Sequence, residues 1–443
     1  MESPHLLFGI NPLWLATALL LLAYVAIIVD RVNRALVSGI GACLVIVSGI
    51  LTQEEAIRGV DFNTIMLLTG MMLIVGITRR TGLFEYVAIR AVKLADARPA
   101  AILALLAIVT AVFSALVDNV TTVLLMAPVT LAITRQLRVD PWPYLFAQIL
   151  ASNVGGTATL IGDPPNIMIG SAAGLSFNDF VLNLGPVVLV IVLVHGALGH
   201  LGWGRRLQAT AEDRARVLAM DDRAAITNPR LLRYALVVLA VVIAAFITAR
   251  FLHLEAGTIA MFGAAVLLLL DVHERNAEEQ AHQVHASFGE VEWITLFFFI
   301  GLFVMVEGVS KTGLLRILAD RLLAATGGDP TVTVLAVLWG SALLSAVLDN
   351  IPFVATMIPL VKGLESAFGG AAGLEPVWWA LALGACLGGN GTLIGASANL
   401  TVAGIADRAG VPFKLTKFTV RAFPLMLVSV GIAHVYLWVR YLR

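Results

Sequence analysis

The stretch that decides the fold reads SALVDNVTTVLLMAP from Ser114 to Pro128 and, after a short basic loop, ASNVGGTATLIGDPPN from Ala151 to Asn166. It occurs twice. Asp118-Asn119 returns as Asp349-Asn350 and Pro128 as Pro359, a spacing of 231 (118 to 349), while GGTATLIGDPPN returns as GGNGTLIGASAN from Gly388 to Asn399, a spacing of 233 (155 to 388). Both copies lie in apolar surroundings. A carboxylate, amide side chains and helix-breaking glycines are expensive at membrane depth, because lipid offers no hydrogen-bond partner to a side chain or an unwound backbone. Two such breaks at corresponding positions point to a transport site between halves.

Composition agrees. The 443 residues are 59% hydrophobic and 13% charged, with a mean hydropathy of +0.92; soluble domains carry roughly 25% charged residues. This is the composition of an all-α polytopic membrane protein. Net charge is zero, so nothing favours nucleic acid. Cys43 and Cys386 both fall in apolar segments and read as small buried apolar residues, neither disulfide nor metal ligands. His273, His282 and His285 with Glu278 and Glu279 match no zinc spacing and read as a solvated loop. No nucleophile-base pair, phosphate loop or dinucleotide fingerprint occurs, so neither an enzyme nor a cofactor is expected. Met1 to Pro12 lacks the positive region of a cleavable signal.

In chain order, spans are expected at Leu13–Val29, Leu36–Thr52 and Phe62–Thr78, then a mixed stretch Thr81–Pro99 that reads as an interfacial helix or a solvated linker. Residues 100–134 form two apolar arms that meet at Asp118 without a polar loop, the pattern of a re-entrant hairpin whose tip stops at mid-membrane. Residues 144–173 form a helix broken by Gly155, Gly156, Gly162 and Pro164-Pro165, where freed carbonyls and amides face a ligand. Val181–Gly199 closes a first repeat over residues 1–200. Residues 201–230 are a cytoplasmic linker, and a second repeat over 231–443 carries a hairpin at 331–361 and a broken helix at 377–404. Thr81-Gly82 recurs as Thr312-Gly313, so the repeat extends beyond the motifs.

Each repeat thus has five spans and one hairpin, and an odd number inverts the second half. Charge gives an independent reading: with the N-terminus outside, 21 of the 29 basic residues fall in inside loops, including seven arginines from Arg205 to Arg233. Both termini are expected outside the cytoplasmic (inner) membrane.

Asp118 and Asp349 hold equivalent places, whereas Asp163 has Ala396 as its counterpart. These three carboxylates are the candidates for coupling to a proton or cation, and each tip Asp can also cap its own helix. Candidate substrate or ion ligands are Asn119, Thr121, Thr122, Gly155, Gly156, Thr157, Thr159 and Asn166 in the first copy. In the second they are Asn350, Gly389, Asn390, Thr392, Ser397 and Asn399.

DNVTTVLLMAPVT, GGTATLIGDPPN, SALLSAVLDNIPFVATMIP and GACLGGNGTLIGASAN resemble the ion transporter superfamily, in particular its arsenical pump and sodium/proton antiporter (ArsB/NhaD) branch, close to permeases similar to the melanosomal P protein. The resemblance implies a scaffold and a mobile unit that alternate access to one midplane site. By resemblance to dicarboxylate and citrate members, Asn119, Thr121 and Asn350 bind substrate or cation. Here Asp118 and Asp349 replace the Ser of Ser-Asn-Thr tips and Pro352 replaces the second Thr, and two added charges oppose a dianion. The expectation is therefore proton-coupled efflux of arsenite or antimonite, neutral hydroxides suited to amide and hydroxyl ligands. Sodium/proton antiport and organic-anion transport are the alternatives. The partners expected are an inorganic ion or metalloid, a coupling proton or sodium, the bilayer, and a second copy in a homodimer.

Overall fold

The computed structural model describes residues 10–29 and 31–443; most of the Met1–Pro12 stretch judged above lies outside them. The chain opens with α1 (Pro12–Val29), α2 (Arg34–Val47), the short α3 (Gln53–Arg58), α4 (Phe62–Arg79) and α5 (Leu83–Leu94). Two arms follow, α6 (Pro99–Leu116) and α7 (Asn119–Gln136), then the pieces of a broken helix, α8 (Trp142–Gly156) and α9 (Pro164–Ala173). After α10 (Phe177–Gly202) and α11 (Ala211–Leu218) the order returns: α12 (Pro229–Leu252), α13 (Ala256–Val272), α14 (Ala277–Gly289), α15 (Trp293–Lys311) and α16 (Leu314–Ala325). The second arms are α17 (Pro330–Ser345) and α18 (Asn350–Gly363), the second broken helix is α19 (Glu375–Gly388) and α20 (Ser397–Arg408), and α21 (Leu415–Leu437) closes the chain.

Among the described residues, eight helical segments are long and apolar enough to cross a membrane, or nine if α16 and α17, bent by 119°, count as one. Large apolar side chains face outward where lipid would lie, among them Leu182 and Leu193 on α10 and Val237 and Val241 on α12. The protein is an all-α integral membrane protein.

Packing exchanges partners between the halves. α2 packs on α15 and α4 on α13, and the second piece of each broken helix packs on the other half's arm, α9 on α18 and α20 on α7. Within each half, the first arm lies against the first piece of the broken helix, α6 on α8 and α17 on α19. Glycine sets these approaches. A Cβ at Gly155 would overlap the Ala111 carbonyl, and at the equivalent Gly388 it would stand 2.5 Å from the Ala342 carbonyl oxygen. Small residues let helix backbones close in where lipid supplies no hydrophobic drive. Gly82 and Gly313 start α5 and α16 in the left-handed region, with φ +77° and +84°.

Several segments differ from expectation. The span expected to Thr52 ends at Val47, because Gly49 turns the chain at φ +81° and Thr52 instead caps α3 in a capping box with Glu55. The loop expected around His282 and His285 is helix α14, started by Asn276, whose side chain accepts from the Glu279 amide; a polar sequence hid it from a search for apolar stripes. Of the two readings for Thr81–Pro99, the helix is the one found, as α5 with one buried face. Residues 201–230 are folded too: α11 packs on α5 and α7, and Lys93 donates to Asp222 at 2.5 Å. That ammonium holds the Asp222 carboxyl below its usual range. Cys386 is buried as expected, but Cys43 is exposed on the outer face of α2.

The Gly155 contact is testable by thermal unfolding of purified protein. Gly155→Ala should destabilise by about 1–3 kcal/mol, the usual range for overpacking. Gly185→Ala on α10, where a Cβ meets nothing nearer than Val181 at 4.0 Å, should not.

Candidate functional site

The two broken helices and the two arm tips meet in one buried polar centre. At each break the helix stops within its paired glycines, at Gly156 or Gly388, and resumes from an extended residue, Asp163 (φ −144°, ψ 132°) or Ala396 (φ −149°, ψ 143°). The carbonyls freed between are gathered by one amide per break. Asn166 Nδ2 donates to the carbonyls of Gly156, Thr157 and Thr159 at 3.3, 3.1 and 2.9 Å. Asn399 Nδ2 does the same for Gly389 and Thr392 at 2.8 and 2.9 Å. Thr159 and Thr392 then tie each break to its arm by donating to Ala115 and Ala346, at 2.6 and 2.5 Å. Ser114 and Ser345 do likewise, donating to the carbonyls of Ser152 and Ala385.

Across the halves runs a chain of amides. Asn119 Nδ2 donates to Asn153 Oδ1 at 3.1 Å, and Asn153 Nδ2 donates to Asn390 Oδ1 and Asn399 Oδ1 at 2.8 and 2.9 Å. Position 386, equivalent to 153, carries Cys386, whose thiol donates to Asn166 Oδ1 at 3.5 Å. The same cross-half contact is therefore made twice with different chemistry. Asn390 Nδ2 reaches the Leu150 carbonyl, and Thr157 donates to the Asn153 carbonyl. Asn350 Nδ2 lies 3.3 Å from both oxygens of Asp163, joining the second tip to the first break.

The remaining tip residues face their own helices. Asp118 accepts from the Thr121 amide at 2.8 Å and Asp349 from the Ile351 amide at 3.0 Å, each at the positive end of the helix it caps. Asn119 Oδ1 and Thr122 Oγ1 are buried without a hydrogen-bond partner, and the Asn119 amide donates to the Gly162 carbonyl beside Asp163. Gly155 sits inside α8 and faces Ala111, while Gly156 and Gly389 pack against the far ends of their own breaks, at Gly162 and Gly395. In these glycines the freedom expected for unwinding is used for close approach.

Sequence reasoning missed three members. Asn153 lay inside the quoted stretch but in regular helix; the signal available was its alignment with Cys386. Arg34 had no local signal, being the first residue of α2 beside a loop. Its guanidinium donates to Ser397 Oγ at 2.7 Å and Thr295 Oγ1 at 3.0 Å, stands 3.7 Å from Asp349 and lies over the Phe298 ring. Ser397 in turn donates to Asp349 Oδ2 at 2.8 Å. From α1, Tyr24 donates to the Pro352 carbonyl at 2.7 Å, so α1 and α2 both hold the second tip.

Residues 24–384 match the family described as "Citrate transporter". An uncharacterized transporter of Mycobacterium tuberculosis is 43% identical over 96% of this chain and 98% of its own length, and the 46 kDa membrane protein of Mycobacterium leprae is 41% identical over 97% and 99%. The human P protein is 34% identical over 96% of this chain, which spans 59% of the P protein's length. The fold is similar to that of the Alcanivorax borkumensis YdaH transporter, with TM-score 0.61 at 14% identity, over 97% of this chain and 98% of the other. The likeness to the P protein stands. Placement in the arsenical pump and sodium/proton antiporter branch is overturned by the citrate transporter match, and the arsenite and antimonite reading falls with it.

The Arg34 link gives a stability test. Arg34→Gln and Asp349→Asn should each lower the melting temperature, and the double variant should lose less than the sum, with a coupling of about 0.5–3 kcal/mol as for charges sharing one network. Strict additivity would show that the pair does not interact.

Proposed function

This chain belongs to the citrate transporter family, and we propose that it is a secondary active transporter of a small organic di- or tricarboxylate, coupled to a cation. One observation carries the reading: hydroxyl, amide and guanidinium donors converge where α20 begins. Arg34 and Ser397 stand there, and the first turn of α20 has no side-chain cap to consume its amides. The expectation that two tip carboxylates repel a dianion counted charges without their partners. Asp118 is spent on capping α7, and Asp349 is met by Arg34, Ser397 and its own helix.

The coupling cation is assigned to the first break. Asp163, with the unpartnered oxygens of Asn119 and Thr122, offers hard oxygen ligands, and Pro164 and Pro165 remove the amides that would favour an anion there. Asn350, bonded to Asp163, links the cation's occupancy to the second tip. Movement of the arms and broken helices against the remaining spans supplies alternating access. An inverted arrangement of five spans and a re-entrant hairpin per half, with both termini outside, is supported by the exchanged packing of α2 on α15 and α4 on α13 and by the bias of basic residues. A polar cavity of about 510 Å³ between Asn63 on α4 and Leu160 at the first break is the proposed approach from the side where α4 begins.

Sodium/proton antiport is the second reading, favoured by three carboxylates, Asp118, Asp163 and Asp349, against one arginine. Liposomes with an internal pH dye and labelled citrate or succinate, under imposed sodium or proton gradients, separate the two. Saturable carboxylate flux driven by a cation gradient is expected, reduced about tenfold or more by Asp163→Asn or Asn350→Ala, the size of a lost charge-assisted hydrogen bond. Sodium-driven proton movement without carboxylate flux would leave the antiport reading in possession.

A further inference from the structure

Away from the polar centre, α6, α8, α10 and α21 enclose a groove of about 680 Å³. Its walls are mostly apolar, with Leu103, Ala104 and Ala107 of α6 on one side and Leu193, Gly196 and Leu198 of α10 on the other. Leu193 and Leu198 are exposed, so the groove opens on the surface that faces lipid. The chemistry changes at one end. There Trp203, His200, Arg206 and Arg421 line the groove, and Lys417 and Arg421 are held over the Trp142 ring at 4.6 and 4.9 Å.

The cations at this end of the groove have no acidic partners, unlike several of their neighbours. Arg214, Arg216, Arg138 and Lys93 nearby in sequence or space are paired to Asp96, Asp213 or Asp222. Among the described residues, Arg206, Lys417 and Arg421 have no carboxylate within 4.0 Å, and no acidic residue lines the groove. A tryptophan beside unpaired cations at the mouth of an apolar groove marks the level of lipid headgroups.

We propose that this groove binds an anionic phospholipid, with an acyl chain between α6 and α10 and the phosphate against Arg206 and Arg421. A second copy of the chain is a poorer occupant. A twofold partner seated on the same face would bring its own unpaired arginines against these. The inference is independent of which solute is carried, because no side chain of the groove belongs to the amide network or to the arm tips; Leu150, which lines it, joins that network only through its carbonyl.

The test uses the full chain purified in a neutral detergent and supplied with phosphatidylglycerol or phosphatidylcholine of the same acyl chains. Retained lipid is counted by native mass spectrometry. The wild type should keep phosphatidylglycerol in preference, and Arg206→Gln with Arg421→Gln should cut that preference about tenfold or more, as expected for two arginines at a headgroup. Arg316→Gln with Arg321→Gln on α16 should leave it unchanged. Ala104→Phe with Ala107→Phe should displace both lipids by filling the groove; if that variant does not fold, the arginine pairs decide. Equal retention of the two lipids by the wild type, an equal loss with the α16 pair, or a shift of the groove-filling variant from dimer to monomer with lipid retention intact would each overturn the proposal.

Discussion

Everything in this molecule depends on one constraint: a helix interrupted inside a membrane must find internal partners for the backbone groups it releases. Two asparagines meet it. Asn166 and Asn399 each fold back over the break from the start of the next helix and bond the carbonyls that the turn would leave bare. Once an amide is committed to that task its own oxygen needs a donor, and the donors come from the opposite half, Asn153 in one case and Cys386 in the other. The local requirement at each break thus becomes the interaction that joins the halves. What this scheme leaves over is a carboxylate, two unpartnered oxygens and, beside Arg34, a first turn of α20 without a side-chain cap.

The asymmetry between the halves is where the chemistry differs. The first break has Asp163 and two prolines at its exit, and the second has Ala396 and Ser397. Equivalent backbones thus end in a carboxylate and two prolines at one break and in a hydroxyl at the other, the difference on which the proposed coupling of two unlike ions rests.

Much of this was legible beforehand, and the limits have physical causes. The paired Asp-Asn tips and the glycine and proline breaks stood out because such residues are costly in lipid, so both sets of interrupted helices fell where expected. Side-chain direction was not legible. For Asp118 and Asp349 the sequence allows both a charge facing a cavity and a helix cap, and only the structure shows each carboxylate bonded to the first turn of its own helix. Arg34 reads in sequence as one more cation at a loop, since nothing local says that a chain segment over 300 residues away ends beside it. Asn153 was hidden by regular helix, which shows no break. Helix α14 escaped for the opposite reason, being helical without an apolar stripe.

The exchanged pairing of helices bears on how the protein is made. Of the best 18-residue window of α4, 67% is buried, and the surfaces that bury it include α13, which emerges from the ribosome about 180 residues after α4. The small faces of α2 and α4 that later receive α15 and α13 must therefore wait in the bilayer against lipid, and the amide of Asn153 waits for Asn390 and Asn399 at the far end of the chain. Assembly is a closing of two incomplete parts rather than the stacking of finished ones. A chain arrested after its first half would be a membrane-inserted intermediate with a polar seam exposed, the form that quality-control proteases and insertion chaperones would meet.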